Sequence, residues 1–272
     1  YQYGYTWFSR DGISVEGYAW NERHELSRED SLAAFFEQIG TAEDFVQQLR
    51  ALNGLFSVIV QREDHVFFAT DRTRTFPLFY AEMQGELIIS DSVYETGRDH
   101  FSLHESAANE FLYTGYVTGC DTFFTGIHQV QAGEYVVAGQ SVVRRFYHVY
   151  AADDKIVLPF DALADQLTHI FENTGERLVA ALSGRTAVLP LSGGYDSRLI
   201  ACLLKKNKYE KVVCFTYGNR IDREVQVSKK VAATLGYEWH FVAYTDQNIA
   251  SLLNDDELDA YIPFCTNGAS AI

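Results

Sequence analysis

Cysteine, proline and positive charge are all scarce in this sequence. The four cysteines, at positions 120, 202, 214 and 265, form no C-x-x-C pair, and their surroundings predict buried free thiols. Only four prolines occur in 272 residues, and no tract is of low complexity, which argues against long flexible linkers. The composition therefore predicts a folded chain of two medium-sized domains.

Long apolar runs and a secretory signal are also missing. No stretch approaches the ~20 apolar residues that a membrane span needs, and no signal-peptide pattern opens the chain. Together with the unpaired cysteines, these absences predict a cytoplasmic protein in a reducing compartment, with no membrane partner.

Basic residues are outnumbered by acidic ones. Lys and Arg total 22 against 37 Asp and Glu, which gives a formal net charge of −15. Such a charge repels a polyphosphate backbone, so nucleic acid is not expected as a partner. ATP stays compatible with it, because backbone amides at a glycine loop can hold phosphates when Mg²⁺ shares the charge.

The residue pattern changes its period near residue 152. Residues 1–152 contain short β runs with turn signals and two segments at helical spacing, which is typical of an α+β layered domain. From residue 153 to 272, predicted strands alternate with amphipathic helices, which indicates a parallel sheet with crossover helices. The predicted elements there are strands at 187–191, 212–216 and 239–243 and helices at 160–182, 198–205 and 224–235.

A glycine loop joins the first of these strands, ending at Leu191, to the next helix. The loop reads S-G-G-Y-D-S at 192–197. Its two glycines let backbone amides approach an anion, and the helix N-terminus adds roughly half a positive charge. Ser192 and Ser197 add hydroxyl donors, while Asp196 suits a Mg²⁺ ion shared with phosphates. No lysine follows Gly194, so this is not a Walker motif; it matches the PP-loop of ATP pyrophosphatases.

The wider second half resembles the asparagine synthetase family. C-F-T-Y-G at 214–218 resembles the strand that lines the family's adenine pocket, and D-R-E at 222–224 with the later A, L-G and H positions follows its spacing. The resemblance implies ATP and Mg²⁺ as cofactors, with Asp196 as the metal ligand, and it assigns no catalytic residue. The implied ATP-binding residues are Leu191, Ser192, Gly193, Gly194, Asp196, Ser197, Phe215, Thr216 and Gly218.

The first half resembles the glutamine amidotransferase domain of the same family. The matching segments are N-G-L-F-S-V at 53–58, D-R at 71–72, P-L-F-Y at 77–80 and T-F-F-T-G-I at 122–127, leading to Gly133. The implied fold is an N-terminal-nucleophile-hydrolase-like sandwich, followed by the front part of a PP-loop domain. The family's synthetase domain continues past the equivalent of Ile272, so a truncated domain is expected.

Three positions depart from a working glutaminase of this class. The family uses an N-terminal cysteine, whereas Tyr1 opens this sequence. The segment that holds the family's oxyanion aligns with Glu16 and Gly17, and a carboxylate there would repel the developing charge. Tyr1, Glu16 and Gly17 are therefore interpreted as degenerate glutaminase positions, and the first domain is predicted to be inactive.

These features predict an ATP-dependent amide-forming ligase of the kind used in asparagine biosynthesis. The ligase is expected to adenylate a carboxylate and release pyrophosphate without hydrolysing glutamine. The expected partners are a small-molecule carboxylate and an amine, and a second copy of the chain in a homodimer is a further expected partner. The amine is free ammonia or a substrate amino group, as in relatives resembling β-lactam synthetases and lasso-peptide cyclases. Three alternatives remain open: a glutamine-hydrolysing asparagine synthetase with a Cys before Tyr1, a non-catalytic binding or assembly protein, and a tRNA-thiolating enzyme, which the acidic charge disfavours.

Overall fold

The computed structural model describes residues 5–96, 101–151 and 157–252, together with six single positions between 256 and 267. These residues form two compact units. The first contains the residues up to 151 and those from 256 onward, and the second contains the residues between. Among the described helices, none combines the length and apolar character that a membrane crossing requires.

The division into units differs from the predicted domains 1–152 and 153–272 in one respect. The segment from 256 belongs with the first unit. Asn267 gives the physical reason, because its Oδ1 accepts a hydrogen bond from the Val93 N–H at 2.9 Å and its Nδ2 donates to the Asp91 carbonyl at 3.0 Å.

The first unit is built on two antiparallel sheets. Its strands are β1 (Phe8–Arg10), β2 (Ile13–Trp20), β3 (Leu26–Arg28), β4 (Asn53–Gln61), β5 (Val66–Thr70), β6 (Phe79–Met83), β7 (Glu86–Ser90), β8 (Ile127–Gln129), β9 (Glu134–Ala138) and β10 (Val142–Phe146). The larger sheet has the order β1-β2-β4-β5-β9-β10, with β3 paired to β2, and the smaller sheet has the order β7-β6-β8.

Helices cover one face of the larger sheet. They are α1 (Glu29–Ala33), which runs into a 3₁₀ turn (Ala34–Phe36), and α2 (Ala42–Ala51); α3 (Glu105–Thr114) comes later in the chain. α2 begins at a capping box, in which Thr41 Oγ1 accepts from the Asp44 N–H at 3.2 Å. Apolar residues of β2 and β4 pack on these helices.

The other face of the larger sheet packs against the smaller sheet. Phe68 and Val136 from the larger sheet share a buried cluster with Leu78 and Tyr80. Because side chains alternate across a strand, the same strands supply both clusters, and the unit becomes an α+β sandwich of the predicted kind.

The second unit is a three-stranded parallel sheet with crossover helices. Its elements are α4 (Phe160–Leu182), β11 (Ala187–Pro190), α5 (Tyr195–Lys206), β12 (Val212–Gly218), α6 (Arg223–Leu235), β13 (Glu238–Ala243) and α7 (Asp246–Leu252), and the sheet order is β11-β12-β13. Helix α5 begins three residues before the predicted position 198, so the residues after Gly194 already belong to its first turn.

All four cysteines are free thiols, but they are not all buried. Cys214 is buried under α6, as predicted, and Cys120 and Cys265 are partly exposed. Cys202 is exposed, which corrects the prediction. On α5 the buried residues are Ala201, Leu203 and Leu204, and the 100° step of the helix turns Cys202 away from them.

Candidate functional site

The glycine loop lies at the carboxyl end of β11, where two serines hold it closed. The Ser192 N–H donates to Ser197 Oγ at 3.0 Å, and the two hydroxyl oxygens lie 2.9 Å apart. The Gly194 N–H donates to Ser192 Oγ at 3.2 Å. Ser192 and Ser197 therefore fix the shape of the loop against the first turn of α5.

Gly193 is required by the approach of α6. A Cβ atom at this position would lie 2.9 Å from Cγ and 3.2 Å from Cα of Glu224, which is closer than ordinary packing permits. The Gly193 N–H donates to the Glu224 carboxylate at 3.3 Å. This loop amide thus already faces an anionic oxygen, which shows the kind of group it can bind.

Helix α5 begins without a side-chain cap. Its N-cap residue is Gly194, in an extended conformation, and no side chain accepts from the first turn there. The 12-residue helix therefore directs uncapped N–H groups and the positive end of its dipole toward the loop, a setting that favours an anion. Asp196 lies in this first turn with its side chain exposed.

A cavity of about 300 Å³ opens beside the loop. Its size is at the lower end of the range for small-molecule sites. Five predicted residues line it, namely Leu191, Ser192, Phe215, Thr216 and Gly218. Gly193 and Gly194 lie in the adjoining loop, Asp196 and Ser197 lie in the first turn of α5, and none of the four lines the cavity.

Thr216 contributes to the fold through its side chain. Its hydroxyl donates to the Leu191 carbonyl at 2.6 Å, lies 2.7 Å from Ser228 Oγ and accepts from Trp239 Nε1 at 3.1 Å. These bonds tie β12 to the start of the loop and to α6. The Thr216 hydroxyl is therefore committed to internal bonds, and its backbone is the part that remains for a ligand.

Charged residues that the sequence reasoning did not assign to ligand binding also line this cavity. Arg220, Asp222 and Glu224 do so, and Asp222 caps α6 by accepting from the Glu224 N–H at 2.9 Å. Arg198 was also missed; it donates to the Gly193 carbonyl at 3.0 Å. Their positions in the sequence could have indicated them, because residues that follow a parallel strand lie together at the carboxyl edge of the sheet.

In the first unit, Glu16 is a buried acid. It is 3% exposed, and burial, followed by the charge of Asp91, raises its pKa to about 7. Glu16 therefore exchanges its proton near neutral pH, and its protonated form can donate a hydrogen bond. The expected repulsion of an oxyanion is accordingly weaker than a full carboxylate would give.

Gly17 follows in a conformation that only glycine adopts readily. Its φ is +91°, and a Cβ would lie 2.1 Å from the Leu55 carbonyl oxygen and 2.6 Å from the Phe76 ring. Gly17 is therefore required by the close pairing of β2 with β4. Tyr1, the third predicted glutaminase position, lies outside the described residues.

Two family models match separate parts of the chain. Residues 17–150 match the family described as "Glutamine amidotransferase domain", and residues 186–260 match "Queuosine biosynthesis protein QueC". One part of the chain is thus similar to an amidotransferase domain, and another part is similar to QueC. With the antiparallel sandwich and the parallel sheet, these matches confirm the predicted fold class. The asparagine synthetase family itself is not among these matches.

Curated relatives match about a third of the chain. The 7-cyano-7-deazaguanine synthase of Synechococcus elongatus is 38% identical over 86 residues, which cover 31% of this chain and 36% of that protein. The enzyme of the same name from Staphylococcus aureus is 31% identical over 94 residues, or 34% of this chain and 41% of that protein. The match thus spans well under half the length of either relative.

Solved structures match over a longer region at low similarity. The structure described as the allosteric regulatory enzyme of purine biosynthesis has a TM-score of 0.31 and 11% identity, covering 88% of this chain and 62% of the other. Glutamine phosphoribosylpyrophosphate amidotransferase from B. subtilis, complexed with ADP and GMP, has a TM-score of 0.30 and 10% identity, with coverage of 90% and 51%.

Proposed function

We propose that this chain is an ATP-dependent carbon–nitrogen ligase whose second unit adenylates a carboxylate and releases pyrophosphate. The observation that carries the proposal is the closed serine–glycine loop between β11 and the uncapped N-terminus of α5, beside a cavity at the carboxyl edge of a parallel sheet. The QueC-like match over the same residues supports it.

The residues present fit a nucleotide with its phosphates at the loop. The Gly193 amide, which donates to the Glu224 carboxylate, and the first turn of α5 would hold the phosphates, since both offer N–H groups beside the loop. Phe215 and the backbone at Gly218 would border the adenine, because they line the cavity at the end of β12. Arg220 would add positive charge to that cavity.

The exposed carboxylate of Asp196 fits a magnesium ion. It stands in the first turn of α5, next to the loop, and Mg²⁺ is commonly held by one or two carboxylates together with phosphates. When bound, the ion would supply neutralisation of the charge that develops on the leaving pyrophosphate.

The proposed chemistry has two steps. A substrate carboxylate oxygen attacks the α-phosphorus of ATP, the bond to the bridging oxygen breaks, and pyrophosphate leaves. An amine then attacks the acyl carbon, AMP leaves with the carboxylate oxygen, and an amide forms. The chain's own contribution is to position the reactants and to offer amide donors to the phosphates.

The carboxylate has two candidate sources. The first is a small amino-acid carboxylate such as aspartate, from the asparagine-synthetase resemblance. The second is a 7-deazaguanine carboxylic acid, favoured by the matches to proteins named 7-cyano-7-deazaguanine synthase. A nitrile carbon has the oxidation level of a carboxylic acid, so activation of the acid and addition of ammonia lead toward it.

Exchange of labelled pyrophosphate into ATP tests the proposal. We expect exchange that depends on one of the two acids and on magnesium, and a loss of at least about tenfold in Asp196→Asn, which removes one charged ligand. Asp246→Asn, on α7 outside the cavity lining, is the matched control and should retain exchange. No ATP binding by calorimetry and no exchange with either acid would instead support a non-catalytic role.

A further inference from the structure

The first unit contains a second cluster of chemically reactive side chains, formed by Cys120, Asp121 and His128. Cys120 and Asp121 precede the turn that leads into β8, and His128 lies on that strand. Asp121 and His128 face each other across an isolated antiparallel bridge. No step of the proposed ligase reaction uses these residues.

Backbone contacts hold the cluster in place. The Gln129 N–H donates to the Cys120 carbonyl at 2.8 Å, and its side-chain amide donates to the carbonyls of Gly119 and Asp121 at 2.9 and 3.0 Å. Gln129 is buried on β8, so its hydrogen bonds hold the backbone of Cys120 and Asp121 beside that strand. A site with a fixed backbone loses little conformational freedom when it binds an ion.

The three ligand atoms are spaced for one metal ion. Cys120 Sγ lies 3.8 Å from Asp121 Oδ1, His128 Nδ1 lies 4.0 Å from the same oxygen, and all three atoms are within 4.8 Å of one another. Tetrahedral zinc with its usual bond lengths places such atoms roughly 3.3–3.6 Å apart. Side-chain movements of under about 1 Å would therefore complete the geometry.

His128 supplies an observation independent of the spacing. Its Nδ1 is buried and has no hydrogen-bond partner among the described residues. A buried polar nitrogen without a partner is costly, and a metal ion would satisfy it.

We propose that Cys120, Asp121 and His128 form a binding site for a divalent transition metal of the zinc type. The thiolate and the carboxylate match the two charges of a divalent cation, and three protein ligands leave a coordination position for water or a small anion. A thiolate and an imidazole select zinc or cobalt over magnesium, so the site is chemically distinct from the magnesium site proposed at Asp196.

Cobalt(II) titration of the full-length chain, purified free of metal, tests this site. We expect one equivalent to bind with the visible bands of four-coordinate cobalt and a thiolate charge-transfer band, and zinc should displace it. Cys120→Ser should abolish the thiolate band, and His128→Gln should weaken binding by about 100-fold or more, since even outer-shell losses cost 10–100-fold. Cys202→Ser, at an exposed thiol of α5, is the control and should bind like the parent.

Thermal unfolding provides a second measurement. Zinc should raise the Tm of the parent and of Cys202→Ser, and not that of Cys120→Ser, since a ligand that binds only the folded state stabilises it. Absence of the thiolate band in the parent would overturn the proposal. The same band in Cys120→Ser, or its loss in Cys202→Ser, would assign the metal to another thiol and would also overturn it.

Discussion

At the scale of single residues, Glu16 is a buried acid whose surroundings change its pKa. It is buried in β2, its Oε2 has no hydrogen-bond partner among the described residues, and its pKa rises to about 7. The folded state therefore holds its proton more tightly than the unfolded chain does, whose carboxyl has the ordinary value near 4.5. This difference makes stability depend on pH.

Glu16→Gln tests that dependence. The stabilising effect of the raised pKa is complete below pH 4.5 and is lost as the pH rises through about 7. The variant should therefore match the parent near pH 4.5 and exceed its unfolding free energy above pH 7 by on the order of 3 kcal/mol. Urea unfolding at both pH values measures it, with the exposed Glu63→Gln as control. Equal stability of parent and variant at pH 8 would contradict the prediction.

Gly193→Ala tests a steric requirement of the loop. The new methyl group would meet both Cγ and Cα of Glu224, and the second of these is backbone. We expect a loss of about 1–3 kcal/mol in stability, as for other overpacked sites, together with weaker ATP binding. Gly40→Ala is the control, since no atom lies within 4 Å of its added Cβ. Calorimetry with Mg²⁺-ATP and denaturant unfolding give the two readouts, and unchanged ATP affinity would remove Gly193 from the phosphate site.

At the scale of elements, the starts of two helices have different roles. Thr41 caps α2, and Asp222 caps α6 by accepting from the N–H groups of Glu224 and Val225 at 2.9 and 3.1 Å. Only the second of these caps borders the cavity beside the loop. Removing each cap in turn should therefore distinguish an effect on folding stability from an effect on nucleotide binding.

Thr41→Ala and Asp222→Ala form a matched pair. Each should lower the unfolding free energy by about 1 kcal/mol, which is the usual effect of removing an N-cap side chain. Only Asp222→Ala should also change the affinity for Mg²⁺-ATP, because its carboxylate lines the cavity. Equal ATP affinity in the two variants would show that the α6 cap has no part in the site.

At the scale of the whole molecule, the two units are similar to two different families. The first matches an amidotransferase domain, and the second a PP-loop domain. The sequence resemblance predicts that Glu16 stands where the family has its oxyanion donor, and a carboxyl group whose pKa is raised to about 7 is a poor donor once it ionises.

We therefore expect glutamine hydrolysis to remain low in Tyr1→Cys with a free amino terminus. Adding Glu16→Asn should raise it by about 10²–10³, the usual effect of one oxyanion donor. Glutamate release from glutamine is the measurement, with Glu63→Asn in the same background as control. High activity in Tyr1→Cys alone would show that Glu16 does not occupy the oxyanion position.

The sequence by itself determined the local features of this protein. Alternating apolar residues gave the strands, apolar residues at helical spacing gave α4, and the paired glycines marked the loop after β11. These features depend on backbone preference and on neighbours a few residues away, so a one-dimensional pattern contains them.

Tertiary structure alone decided the contacts between distant residues. Gly193 meets Glu224, 31 positions later, and Asn267 bonds to the backbone of Val93, 174 positions earlier. The raised pKa of Glu16 and the meeting of Cys120 with His128 likewise arise from packing and strand register. Periodicity records which face of an element is apolar; it does not record which other element covers that face, and burial and electrostatic surroundings follow from that second choice.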